Sequence, residues 1–146
     1  MYNDPIQMKG DLVITINHHD GTFTKSEHTN LIVTSGMKYI FSRMINTSSP
    51  VMSHMGVGSV GNIPTLLDLD LSSILGARVP LTVSTLSTGG IAYTANFAEG
   101  VIVGEMTEAG IFNGITAGSM LCRTVFPVKN LVSTDSFTIV WNITIV

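Results

Sequence analysis

Three glycines near the middle of the chain, Gly56, Gly58 and Gly61, match the dinucleotide-binding pattern G-x-G-x-x-G. In that chemistry a strand precedes the glycines and a helix begins directly after them, because the helix N-terminus binds the pyrophosphate. Here Pro64 follows after two residues, and no alternation of strands and helices surrounds the motif. We therefore interpret the glycines as the exit of a glycine-rich strand and expect no cofactor.

Of the four histidines, three fall within one predicted hairpin, where they could meet as metal ligands. His18 and His19 share the turn, and His28 lies on the strand that returns from it. Asp20 is the nearest carboxylate, and turns favour polar side chains without any metal. A surface ion site and solvated turn histidines both stay open as interpretations. The second is the expectation, so no metal is predicted.

Glu99, Glu105 and Glu108 lie close enough in the chain to suggest the paired carboxylates of acid/base catalysis. No nucleophile elbow of the form G-x-S-x-G accompanies them, and the pattern supplies neither a pocket nor a nucleophile. Cys122, the single cysteine, lies among apolar neighbours and is interpreted as a core or interface thiol. We therefore predict that the chain is not an enzyme and has no catalytic residues.

Glu108 differs from the other glutamates because its neighbours are apolar and uncharged. A carboxylate that is buried without a partner is costly, so Glu108 is expected to meet a cation. Arg123 and Arg78 are the two candidates. A buried pair of this kind fixes strand register or an interface more than it adds stability.

The composition suits a subunit of an assembly. Of the 146 residues 45% are hydrophobic and only 12% are charged, against about 25% in a typical soluble domain. Part of the surface is then expected to be an interface between copies, because large apolar patches would otherwise remain exposed. The length fits a single domain over residues 1–146.

Charge and hydropathy patterning argue against several classes of function. The net charge is −3 and the 7 Lys+Arg are scattered, so no nucleic-acid partner is expected. No apolar run approaches about 18 residues, so no membrane span is expected. The first residues lack the basic and apolar regions of a signal peptide, and the single Cys122 fits synthesis in a reducing cytoplasm.

Two elements are predicted in the first third of the chain. A hairpin spans residues 11–29, and its returning strand is expected to be an exposed edge. Because the hairpin is the most polar segment, it is the candidate docking element. A helix follows over residues 34–46, with Thr34 or Ser35 as its N-cap. Five apolar residues at helical spacing form a stripe that should face the core: Met37, Ile40, Phe41, Met44 and Ile45.

Short Thr/Val/Ile-rich segments recur at about ten-residue spacing along the rest of the chain, which indicates a sandwich or barrel. Residues 66–75 are interpreted as a short helix or turn, and a bend is expected at Gly104 or Gly110. Trp141 lies on the apolar face of the last strand, which should be central. Strands are predicted over residues 51–58, 80–86, 91–98, 101–112, 119–126 and 135–145. The predicted fold is mainly β, an antiparallel β-sandwich of about seven to eight strands with one packed helix.

A fixed order of short motifs runs along nearly the whole chain. In chain order they are N-L-I-V at 30–33, the predicted helix, a glycine-rich strand at 55–61, a Leu-rich segment ending in Arg78, an aromatic-containing strand at 93–97, E-x-G-I-F at 108–112, G-x-M-L-C-R at 118–123, Phe-Pro with a Lys at 126–129, and a final strand with Trp141. This order resembles a family of small tailed-phage virion proteins. It is similar to the N-terminal domain of phage tail-collar fibre proteins.

The resemblance implies a non-enzymatic structural component of a phage particle, at the tail, collar or baseplate or as a tail-fibre adaptor. Its partners would be other copies in a symmetric homo-oligomer, such as a trimer or ring, and neighbouring virion proteins. Two alternatives stay open. One is a capsid decoration or head-fibre base protein, and the other is a carbohydrate-binding β-sandwich with exposed aromatic residues. The residues expected to have structural or interface roles are Glu108, Arg123, Arg78, Gly110, Phe112 and Trp141.

Overall fold

A computed structural model describes residues 7–45 and 48–145 of the chain. This part contains one helix and nine strands. The elements are β1 (Met8–Asn17), β2 (Phe23–Ile32), α1 (Thr34–Met44), β3 (His54–Gly58), β4 (Ile74–Pro80), β5 (Val83–Ser87), β6 (Gly90–Phe97), β7 (Gly104–Phe112), β8 (Met120–Leu131) and β9 (Ser136–Ile145). No helix in these two ranges is long and apolar enough to cross a membrane.

All strand pairs are antiparallel and form one curled sheet, in the order β4-β3-β7-β8-β2-β1-β9-β6-β5. The predicted mainly-β class with one helix is confirmed. The strand number is nine rather than seven to eight, because residues 74–80 form a strand that the sequence pattern did not indicate. The main core is shared by the two halves of the curled sheet, since strands from both contribute to a single apolar cluster.

β1 and β9 are neighbouring interior strands of the sheet, and their side chains alternate between buried and half-buried over most of their length. Trp141 is fully buried on β9, opposite Leu12 of β1 and Tyr93 of β6. The prediction of a central last strand is therefore confirmed. The hairpin of residues 11–29, by contrast, is not uniformly remote from the core. Its first strand supplies three core residues, Leu12, Ile14 and Ile16.

The returning strand of the hairpin is open along most of its length. β2 lies between β1 and β8 in the sheet, but it pairs with β8 only through Leu31 and Ile32. Residues 23–29 are mostly exposed, as the sequence predicts. The two strands that end the sheet, however, are β4 and β5.

The apolar stripe of α1 is only partly used by the core. Met37 and Ile40 are half-buried against the main core, whereas Phe41, Met44 and Ile45 are 66%, 77% and 78% exposed. The prediction that the whole stripe faces the core is wrong. The helix packs closely against the sheet only near its start, where a Cβ atom on Gly36 would overlap the carbonyl of Leu121 on β8.

The first turn of α1 is not capped as predicted. The N-cap is Val33, which has no side-chain capping bond, and the Ser35 hydroxyl donates instead to the carbonyl of Met120. The helix ends at Met44, and the predicted end at residue 46 lies outside the described residues. The start of α1 is therefore held to β8 through the Ser35 hydroxyl rather than by a side-chain N-cap.

The bend predicted in the strand that carries Glu108 is present. Gly104 begins β7 with φ +118°, a left-handed conformation that favours glycine. The pairing of β7 with β8 shifts register between Met106 and Glu108 and again between Ile111 and Phe112. These irregularities place Glu108 and Phe112 on a face of β7 that carries its own small apolar cluster.

Candidate functional site: a buried charge cluster beneath an apolar loop

The loop of residues 59–73, which joins β3 to β4, covers the face of the sheet that lies outside the main core. Leu71 at the end of this loop packs with Phe112 of β7 and Met120 of β8 in the small cluster. Val33, just before α1, completes it. The loop is thus a third layer on one half of the sheet.

Glu108 and Arg123 form an ion pair under this loop. Arg123 donates to Oε2 of Glu108 through Nη2 at 2.6 Å and through Nε at 2.9 Å. The side chains are 0% and 2% exposed, and they lie on the paired strands β7 and β8. Of the two cations considered from the sequence, Arg123 is the partner. Both bonds go to the same carboxylate oxygen, and charge-assisted hydrogen bonds of this kind are stronger than neutral ones.

The same pair binds the 59–73 loop directly. Arg123 donates through Nη1 to the Asp68 carboxylate at 2.7 Å, and through Nη2 to the Ser72 hydroxyl at 2.8 Å and the Asn62 carbonyl at 3.1 Å. The other oxygen of Glu108 accepts the backbone N–H of Ser73 at 3.0 Å. Every polar atom of the pair is therefore directed at the loop or at its partner. A buried pair that is fully hydrogen-bonded in this way is tolerated in a low-dielectric interior.

Asp68 adds a charge that is itself well satisfied. Burial alone would raise its pKa, but bonds from the backbone N–H and hydroxyl of Thr65 and from Arg123 outweigh burial. The pKa of Asp68 is therefore held below its usual range. Asp68 stays ionised at neutral pH and holds the loop to Arg123.

Arg78, the other candidate cation, has a separate role. Its guanidinium donates to the carbonyls of Gly114 and Ala117 at 2.9 Å each, and also to that of Thr116. It lies 3.5 Å from the centre of the Phe112 ring, a cation–π contact. Arg78 therefore orders the turn between β7 and β8. Its guanidinium also lies over the phenyl ring of Phe112, the last residue of the E-x-G-I-F motif.

The G-x-G glycines and Gly110 make space for these contacts. A Cβ atom on Gly58 would lie 2.5 Å from the Ser73 carbonyl oxygen, and one on Gly110 would lie 3.2 Å from Leu71. A Cβ on Gly56 would lie 3.1 Å from the Arg78 side chain. No helix follows these glycines, so they are a glycine-rich strand, as the sequence indicates. Sequence reasoning missed their purpose, although glycines at i and i+2 lie on one face of a strand.

Three leucines of the 59–73 loop are exposed to solvent. Leu66, Leu67 and Leu69 are 50%, 81% and 72% exposed, and they line a crease beside the first turn of α1. We call them the leucine ridge. The charge cluster therefore holds apolar side chains outward, which is the reverse of their usual place.

A second apolar surface lies at the other end of α1. An open groove of about 720 Å³ runs between the end of α1, the end of β9 and the hairpin of β5 and β6. We call it the apolar groove. Arg43 is the only charged residue among the described residues that line it. Its apolar lining includes Tyr39, Ile40, Leu86, Ile91 and Ile145.

The structure does not bring the histidines of the hairpin together. His18 contacts Asp135 and Thr24, whereas His28 contacts Ser26 and lies against the ring of Phe126. Within residues 7–45 and 48–145, no group of three His, Cys, Asp or Glu side chains is placed to hold a metal ion.

The reactive groups proposed from the sequence are also separated. Glu105 and Glu99 are exposed, and Glu108 is engaged by Arg123. Cys122 is fully buried, and burial raises the pKa of its thiol far above the ordinary range. A thiol that stays protonated is a poor nucleophile.

Two aromatic residues that a sugar-binding surface could use, Trp141 and Tyr93, are inside the protein. Trp141 is fully buried, and Tyr93 is 8% exposed, with a pKa raised to about 12 mainly by burial.

Among protein families, curated proteins and solved structures, comparison finds no match to this chain. The contacts of Glu108, Arg123 and Asp68 make the site a charge cluster that orders an apolar loop.

Proposed function

We propose that the chain is a non-enzymatic structural subunit of a tailed-phage particle, and that it assembles as a symmetric homo-oligomer. It belongs at the tail, collar or baseplate, or joins a tail fibre as an adaptor. Its action is assembly, in which neighbouring subunits cover its apolar surfaces.

One observation carries the proposal of assembly. The apolar stripe of α1 has the spacing of a core-facing helix, yet Phe41, Met44 and Ile45 are exposed. An apolar helical face is stable in water only when another surface covers it. Because the described residues of the chain leave these three uncovered, a neighbouring molecule is the natural cover.

The leucine ridge and the apolar groove support the same proposal. With the α1 stripe they surround one helix, since the ridge flanks its first turn and the groove its last. Exposed apolar surface of this extent marks an interaction site in a soluble protein. The low charge content of 12% agrees, because interface cores are depleted in charge.

A structural role is favoured over catalysis by the way the charges are used. The most buried acid, Glu108, has both oxygens engaged by Arg123 and by the backbone of Ser73. A general acid or base needs an oxygen that is free to reach a substrate. The proposal of a phage particle rests on the order of motifs along the chain.

Immunogold labelling tests the location. An antibody against the chain is applied to purified particles of the phage that encodes it, and the particles are imaged by negative stain. Labels clustered at the tail, collar or baseplate are the expected result. Labels over the capsid would favour the decoration or head-fibre alternative. The absence of the chain from purified particles, checked by mass spectrometry, would overturn the virion proposal.

A further inference from the structure

The strand β5 at one end of the sheet is open on three sides. All five of its residues are exposed, and they pair only with β6 among the described residues. Leu86 is 82% exposed. A strand that buries neither face gains little from packing, and its outer edge carries unpaired N–H and C=O groups. Such an edge is suited to pair with another strand.

The strand at the other end of the sheet, β4, has features that discourage pairing with a further strand. β4 contains Gly76 with φ +61°, a register shift in its pairing with β3, and Pro80 at its end. Prolines and irregularities of this kind discourage pairing at an edge. β5 has neither proline, charge nor register shift over its sequence V-S-T-L-S. Of the two strands that end the sheet in the described part of the chain, β5 alone therefore lacks this protection.

We infer that β5 pairs antiparallel with β5 of a second copy, across a two-fold axis at Thr85. The inference rests on the proposed self-assembly and names one of its contacts. An isologous contact places the same strand on both sides, so Thr85 faces Thr85. In the same register Val83 faces Ser87, and Ser84 faces Leu86. The sheet then continues from one copy into the next.

The chemistry of β5 suits pairing with itself. Its side chains include no charge, so no like charges meet across the axis, and threonine pairs are favourable neighbours on paired strands. Leu86 also lines the apolar groove together with Ile91 and Ile145. Pairing through β5 therefore places apolar groove surface next to the partner, in addition to the backbone hydrogen bonds.

Charge exchange at Thr85 tests the inference. We compare Thr85→Lys and Thr85→Glu, alone and mixed one to one, by light scattering and native mass spectrometry. Each variant alone is expected to associate about tenfold more weakly, because like charges face each other across the axis. The mixture is expected to regain the mass of the unmodified assembly, because Lys then faces Glu. The matched controls are Thr29→Lys and Thr29→Glu, which change an exposed threonine on β2.

Each other outcome overturns the inference. The outcomes also show whether only the β5 contact fails or whether self-assembly fails as well. If the unmodified chain assembles and both Thr85 variants keep its mass, β5 is not an interface, although self-assembly stands. If both variants dissociate and the mixture does not recover, β5 meets a different surface of the neighbour and self-pairing is wrong. If the unmodified chain is a monomer, self-assembly itself fails and takes this contact with it.

Discussion

Arg123 Nη2 lies 2.6 Å from Oε2 of Glu108, and the two side chains are almost fully buried between the sheet and the 59–73 loop. The pair joins β7 to β8, and its remaining polar atoms bind the loop at Asn62, Asp68, Ser72 and Ser73. Because the ridge leucines belong to this loop, the pair also determines which apolar surface the protein presents.

Glu108→Gln is expected to destabilise the fold by roughly 3 kcal/mol, since it removes the more deeply buried of the two carboxylates that neutralise the Arg123 guanidinium and leaves only Asp68. Urea unfolding followed by circular dichroism measures the change. The matched control is Glu105→Gln on the same strand, where the side chain is exposed and the effect should stay within about 0.5 kcal/mol. Equal stability of the two variants would show that the buried pair does not hold the structure together.

Gly58→Ala is expected to displace the loop, because the added Cβ would lie 2.5 Å from the Ser73 carbonyl oxygen. Overpacking of this kind costs about 2 kcal/mol. Limited proteolysis should cut the variant faster within residues 59–73. Gly89→Ala is the control, since nothing lies within 4 Å of the corresponding Cβ position. If both variants resist protease like the unmodified chain, the loop does not depend on close approach to Gly58.

Asp135→Asn tests a charge in the turn between β8 and β9. The Asp135 carboxylate accepts the N–H of Val132 and contacts His18, and these interactions hold its pKa below the usual range. A lowered pKa stabilises the fold above about pH 4 and ceases to do so as the pH falls through the folded-state value. The variant should lose about 1 kcal/mol at pH 7 and approach the unmodified chain at low pH.

Thermal unfolding at a series of pH values measures this difference between the two proteins. The gap in melting temperature should narrow steadily as the pH falls below about 4. A gap that is constant over the whole range would mean that the Asp135 charge contributes nothing to stability.

Phe41→Asp is expected to weaken self-association by about tenfold or more, because aromatic residues at the centre of an interface contribute most of its energy. Phe23→Asp is a matched control, since both phenylalanines are 66% exposed and Phe23 lies at the far end of the hairpin. Sedimentation velocity at several concentrations measures both variants. Equal association of the two variants with the unmodified chain would remove α1 from the interface.

Local sequence patterns predicted the strands and the helix better than they predicted what packs against each of them. Alternation identified β9 and the buried place of Trp141, since a strand buries every second residue. The helical spacing of Met37 to Ile45 identified α1 correctly. The same spacing could not show what covers Phe41 and Met44, because periodicity describes a helix and not its neighbour.

The candidate site was predicted in part for a similar reason. The isolated charge of Glu108 indicated a buried cation partner, and the structure identifies it as Arg123. The contacts of Arg123 with the 59–73 loop reach 51 to 61 residues back along the chain. Such contacts depend on the path of the loop over the sheet, which no local pattern encodes. Gly56 and Gly58 were the one local sign that other parts of the chain approach this strand closely.

The mass of the purified, unmodified chain in solution tests the central claim, that its exposed apolar surfaces are covered by other copies. Size-exclusion chromatography with multi-angle light scattering is run over a range of concentrations up to high micromolar. A discrete mass that is a whole multiple of the single chain is the predicted result. A clean monomer at high micromolar concentration would show that other copies of the chain do not cover these surfaces.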